Sequence, residues 1–170
     1  MGLAAPEAIR RLDVQTAAEL GQATREEFGA ADVLLMAAAV ADFRPAAAEG
    51  SKISKSGRDG LALELEPTGD VLASLSAARR PGQTLIGFAA EYGEGAVERG
   101  RGKLERKGLD AVVVNDISRS EIGFDSERNE VTIVTAAGET RVAEAPKGVI
   151  AAAILDRVES LRTATESAER

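Results

Sequence analysis

The stretch ADVLLMAAAVA, residues 31–41, carries no charge between Asp32 and Asp42, and its reading decides the fold. A short apolar run of this kind suits a strand covered on both faces of a parallel sheet. Periodicity alone does not separate it from a buried helix; the helical pattern just upstream makes a strand the better continuation. That upstream segment, TAAELGQATREEFG (16–29), has Thr16 and Glu19 at capping-box spacing. Before it, IRRLDV (9–14) alternates apolar and polar residues and predicts a short strand.

Working outward toward the C-terminus, DFRPAAAEGSKISKSGRDG (42–60) is polar and rich in small residues. It predicts a long loop, a type that in compact domains is usually a functional lid or disordered, and here residues 44–60 are expected to be mobile and to order over a ligand. LALELEP (61–67) alternates as a strand, GDVLASLSAARR (69–80) predicts a helix, and QTLIGFAAE (83–91) a buried strand. GEGAVERGRGKLERKG (93–108) predicts a polar helix with internal glycines, and DAVVVNDIS (110–118) another buried strand. EVTIVTAAGETRVAEA (130–145) predicts a hairpin around Ala-Gly, and PKGVIAAAILDRVESL (146–161) an amphipathic helix with Pro146 at its first position. The alternation predicts an α/β, Rossmann-like, mostly parallel open sheet with flanking helices and a C-terminal β-hairpin. Ligands of such sheets sit beyond the carboxyl ends of the strands. Those ends are AAVAD, GFAAE and VND.

The composition excludes whole classes of chemistry. With no cysteine and no histidine, the chain has no disulfide framework, no thiolate or imidazole metal ligand and no cysteine nucleophile. A net charge of −7 argues against nonspecific nucleic-acid binding. No apolar run approaches the ~20 residues of a membrane span, so a soluble cytoplasmic protein is expected. Phosphate binding must then rest on a few placed cations. The chain has five lysines against sixteen arginines, and four of the five fall in two pairs, Lys52/Lys55 and Lys103/Lys107.

Lys103 and Lys107 stand four apart on a predicted helix and share a face, where they repel unless an anion lies between them. A solvated helix face is the plain alternative. Lys52 and Lys55 belong to the loop, where they are either ordinary solvated charges or slim ammoniums that follow a moving phosphate better than a planar guanidinium. Asp42 directly follows the apolar run, where a carboxylate can meet a ribose hydroxyl or a metal-bound water, or simply cap a helix or turn. Thr68 and Gly69 precede a helix whose first amides favour an anion or a simple cap. Phe88 suits a core position or a stacking wall. Asn115 and Asp116 suit a turn or a ligand, and spacing does not choose. Neither glycine-rich nucleotide fingerprint is present.

AAAVADFRP, KISK, GFAAE, KLERKGLDAVVVND and GFDSERNEVTIV follow one another in this order and spacing. Together they resemble the phosphopantothenoylcysteine synthetase domain of the bacterial bifunctional coenzyme A biosynthesis protein. The resemblance implies a ligase that uses CTP and Mg²⁺. It activates 4′-phosphopantothenate as an acyl-cytidylate, and the amine of cysteine then displaces CMP. It further implies a homodimer, with FMN confined to a separate N-terminal decarboxylase domain.

Carried over residue by residue, the resemblance places Met36, Ala37 and Ala38 around the base and Asp42 against the nucleotide. Lys52 engages the triphosphate and acts in catalysis. Thr68, Gly69, Asp70, Val71, Phe88, Lys103 and Lys107 complete the nucleotide contacts. No metal ligand is assigned. Ser54 separates Ile53 from Lys55 where the family pattern has Lys directly, so Lys55 receives no role. Thr68-Gly69 stands where Asn-Pro is common, which leaves a backbone contact there and no side-chain one. The family's opening strand, glycine-rich loop and acyl-binding asparagine have no counterpart here. The expected organisation is therefore the CTP-binding portion over 1–162 with a polar tail at 163–170, binding CTP but inactive alone. The alternatives are a non-catalytic nucleotide-binding regulatory domain and, less consistent with the missing fingerprint, a Rossmann-type oxidoreductase.

Overall fold

The computed structural model describes residues 9–47, 50–55, 59–118 and 126–168. The expectations for residues 48–49, 56–58, 123–125 and 169–170 lie outside it. In chain order the elements are α1 (Ala17–Phe28), β1 (Val33–Met36), β2 (Phe43–Pro45), β3 (Leu65–Pro67), α2 (Val71–Ala78) and β4 (Thr84–Glu91). They continue with α3 (Ala96–Lys107), β5 (Ala111–Asp116), β6 (Arg128–Thr135), β7 (Gly138–Pro146) and α4 (Lys147–Ala168). The main sheet runs β1-β4-β5-β6-β7. Its β1, β4 and β5 are parallel, and the β6–β7 hairpin joins β5 antiparallel.

Two apolar layers hold helices to opposite faces of this sheet. On one, Phe28, Leu72, Leu75 and Leu104 from α1, α2 and α3 pack on Leu85, Val112 and Val114. On the other, Ile150, Ile154 and Val158 recur along one stripe of α4 and pack on Ile86, Val113, Val131 and Ile133. Burying each α4 side chain of this size stabilises by about 1.5–3 kcal/mol. Helix α1 begins as its sequence directs: Thr16 Oγ1 accepts from the Glu19 amide at 3.1 Å, and Glu19 reaches back to the Thr16 amide at 3.2 Å.

Several expectations change. Residues 9–14 form no strand, and Ile9, Leu12 and Val14 are exposed. Alternation makes a strand only where a sheet supplies a face to bury one side. The 31–41 run yields only four strand residues, and β1 lies at the sheet edge with Leu35 39% exposed. Its small residues 37–39 are also exposed, so the run is apolar for a reason other than burial on both faces. Part of the predicted 42–60 loop is β2, which pairs antiparallel with β3 as a separate two-stranded ribbon. The predicted 61–67 strand accordingly shortens to β3. The hairpin turns at Ala136–Ala137, with Gly138 (φ 135°) opening β7 instead of sitting in the turn. Pro146 closes β7 immediately before α4, because residue 146 still pairs with Arg128. Helix α4 runs on to Ala168 through most of the segment expected as a tail.

Candidate functional site

The carboxyl ends of β1, β4 and β5 come to one edge of the sheet: Met36 lies opposite Gly87, and Glu91 opposite Asp116. Strand alternation then sorts the residues beyond this edge between the two faces. On the α4 face, Phe88, Ala90 and Asn115 line a cavity of about 220 Å³ with Ala37, Ala38 and Ala39. The alanines leave the strand end without bulk, and Phe88, 37% exposed, forms a wall. Asn115 Oδ1 is buried and has no hydrogen-bond partner among the described residues. A buried carbonyl oxygen left unpaired costs about 1–3 kcal/mol, so a site that supplies its donor is favoured.

The opposite face holds the cations. Glu91, at the end of β4, is only 11% exposed and binds two of them, Lys103 Nζ at 2.8 Å and Arg99 Nε at 2.7 Å. Burial alone would raise its pKa, but the hydrogen bonds and charges of Lys103 and Arg99 outweigh burial and hold it below the ordinary carboxylate value. Lys107 Nζ meets Asp70 Oδ2 at 3.0 Å. Asp70 also caps α2, accepting from the Ala73 amide at 3.1 Å. Its pKa is likewise lowered, with burial opposing and the Ala73 amide and Lys107 prevailing. The two α3 lysines thus share a face as expected, but each is held by its own carboxylate rather than standing as a bare repelling pair.

Between these groups runs the α2 entrance. The Thr68 amide donates to Asp42 O at 2.8 Å, which ties the segment after β1 to the start of α2. Among the described residues Thr68 Oγ1 is buried without a partner, and a Cβ added at Gly69 would meet nothing within 4 Å. The Asp42 and Lys52 side chains are exposed. Met36 and Val71 instead turn their side chains into the core with Phe28 and Leu72. Only their backbones remain for a ligand, because strand and helix periodicity point these two apolar groups inward. Among the described residues no cluster of three or more acidic side chains is placed to hold a metal ion.

Sequence reasoning missed Glu91 and Arg99 and left Asn115 open. A carboxylate one residue beyond an apolar strand was the available signal for Glu91. Its two partners lie eight and twelve residues on, and only the packing of α3 beside β4 reveals them.

The model of the DNA/pantothenate metabolism flavoprotein C-terminal domain matches residues 1–161. The chain belongs to this family. Among curated proteins, this family member is 35% identical over 166 residues to the coenzyme A biosynthesis bifunctional protein CoaBC of Mycolicibacterium smegmatis. That match covers 92% of this chain and 40% of the relative. It is also 36% identical over 154 residues to a cysteine/cysteine sulfinic acid decarboxylase from an unknown prokaryotic organism, covering 90% of this chain and 42% of that protein. The chain thus spans about two-fifths of the length of the curated relatives it matches. A crystal structure of the C-terminal domain of CoaBC superposes with a TM-score of 0.74 at 28% identity, covering 94% of this chain and 69% of that one. The shared architecture is the α/β sheet with flanking helices described above.

Proposed function

We propose that this family member is the CTP-binding portion of a phosphopantothenate–cysteine ligase. The observation that carries the reading is the alanine-walled cavity at the sheet's carboxyl edge, lined by the Asn115 side chain whose carbonyl is unpaired among the described residues. A small flat base stacks on Phe88 and offers its exocyclic amine to Asn115, a donor that replaces the missing partner. The phosphates then extend over the strand ends toward the α2 entrance, Lys103 and Lys107. Similarity to the CoaBC proteins supports ligase chemistry in coenzyme A biosynthesis.

In this reading the carboxylate of 4′-phosphopantothenate attacks the α-phosphate of CTP. Pyrophosphate leaves, and the amine of cysteine displaces CMP from the acyl-cytidylate. Lys103 and Lys107 hold the triphosphate in the ground state. Lys52 meets the charge that develops at the α-phosphate, where one preorganised donor supplies about 2.7–4 kcal/mol. Mg²⁺ enters with the nucleotide, since it retains waters and binds through substrate phosphates with few protein ligands. Asp42 contacts the nucleotide as an exposed group at the β1 exit.

The parent protein, on the same reading, is a cytoplasmic homodimer that also carries an FMN-dependent decarboxylase domain. Its bifunctional relatives support the second domain. Among the described residues no helix is long and apolar enough to cross a membrane. The chain by itself binds CTP without making the acyl-cytidylate. Calorimetric titration with each of the four nucleoside triphosphates and Mg²⁺ tests the proposal. Preference for CTP, lost in Asn115→Leu, supports it; equal affinity for ATP and CTP overturns it. Pyrophosphate release on adding phosphopantothenate to this chain alone would overturn the division of the site.

A further inference from the structure

Lys103 presents a difficulty: a lysine that serves a phosphate is here already paired with a carboxylate. The geometry resolves it. Glu91 uses one oxygen for each cation, Oε1 for Lys103 and Oε2 for Arg99. Two cations against one anion leave the cluster with a net charge of +1. An ammonium has three donors, and Glu91 occupies one, so two remain for a ligand. The Lys103 side chain is 37% exposed while Glu91 is 11% exposed, so the lysine is the partner of this pair that a ligand can reach. Arg99 is itself anchored, donating to the carbonyls of Tyr92 at 2.7 Å and Glu94 at 3.0 Å. It therefore holds the second Glu91 oxygen to the turn that joins β4 to α3.

We infer that Glu91 is a positioning residue that fixes the direction of the Lys103 ammonium toward the nucleotide's phosphates, with Arg99 as its strut. The inference rests on the nucleotide reading above. Lysine has many rotamers to lose on binding, and a carboxylate that orders it in advance removes much of that cost. A glutamine at 91 has only one acceptor oxygen for two cations, and its amide nitrogen is a donor that turns the second away. Lys103 or Arg99 is then released.

The experiment measures affinity for Mg²⁺–CTP directly and for cytidine by competition in the parent, Glu91→Gln, Lys103→Met and the double variant. Glu91→Gln and Lys103→Met are each expected to weaken CTP about tenfold or more, the scale of one charge-assisted contact. The double variant should be no weaker than Lys103→Met alone, and cytidine affinity should stay within about twofold throughout, since it has no phosphate for Lys103 to meet. Glu91→Asp, which keeps the charge but draws it back by one methylene, should also lose CTP affinity and guards against a glutamine variant that fails to fold. An additive double variant, an equal loss for cytidine, or unchanged CTP affinity in Glu91→Gln and Glu91→Asp overturns the positioning role. A parent that binds no CTP overturns the nucleotide reading and the inference with it, and the parent titration alone distinguishes that failure.

Discussion

Gly100 and Gly102 precede Lys103 on α3 by three residues and by one, and alanine at the two positions should move stability in opposite directions. Alanine is about 0.8–1.0 kcal/mol better than glycine inside a helix, so propensity alone makes both substitutions stabilising. The surroundings decide otherwise at residue 100. A Cβ there would stand 2.3 Å from Val114 Cγ2 and 3.7 Å from Val114 Cβ, on a buried strand that cannot retreat. Overpacking of this kind costs about 1–3 kcal/mol and outweighs the propensity gain in most of that range. A Cβ at Gly102 meets Arg106 Nη1 at 2.8 Å, the far end of a flexible side chain that can swing away. Gly102→Ala should therefore raise the urea midpoint, with a gain of up to about 1 kcal/mol. Gly100→Ala should lower the midpoint, with a net loss of stability of up to ~2 kcal/mol, the difference of the two terms. The Gly100→Ala helix is also pushed off β5, so Lys103 shifts away from Glu91 and CTP affinity should fall. Adding Val114→Ala removes the obstructing methyls, so the double variant should be more stable than the two single losses summed. Equal signs at the two glycines, or strict additivity with Val114→Ala, would refute the close packing of α3 on β5.

Further tests address charge. Asp110 accepts from the Leu85 amide at 2.7 Å and pairs with Arg79, so Asp110→Ala should destabilise by about 1–3 kcal/mol in urea melts and Asp110→Asn by less. Glu91 and Asp70 both have folded pKa values below their ordinary 4.5 and 3.8. Their contribution to stability is therefore complete above those values and fades as pH falls through the lower folded ones. Glu91→Gln should flatten the acid limb of a stability–pH curve below about pH 4.5 and leave it parallel to the parent above; an unchanged acid limb would contradict the ion-pair geometry. Lys107→Ala should weaken CTP binding about 10- to 150-fold, the range set by one charge-assisted contact. Lys52→Gln should bind CTP with a smaller loss, yet slow turnover by about 100-fold or more in a full-length synthetase. Intact turnover in that variant would make Lys52 a binding clamp only.

What the chain's own order determined is local. The Thr16–Glu19 capping box, the apolar runs of β4 and β5, and the α4 stripe act within a few residues, through backbone caps and side-chain periodicity. The five ordered motifs also identified the family, because together they keep chemistry-bearing residues in a fixed order and spacing along the chain. Pairing partners and faces were decided only by the tertiary structure. Residues 9–14 have the alternation of a strand but form none, and part of the 42–60 segment, read as a loop, pairs with β3. The 31–41 run looked doubly buried, yet its alanines wall a cavity beside an edge strand. Glu91 acquires its meaning from Lys103 and Arg99, and Asn115 from the lack of a partner among the described residues. The physical reason is common to these cases. A hydrogen bond to a neighbouring strand or an ion pair between elements depends on atoms brought together by packing the whole chain, and local sequence carries no record of which atoms those are.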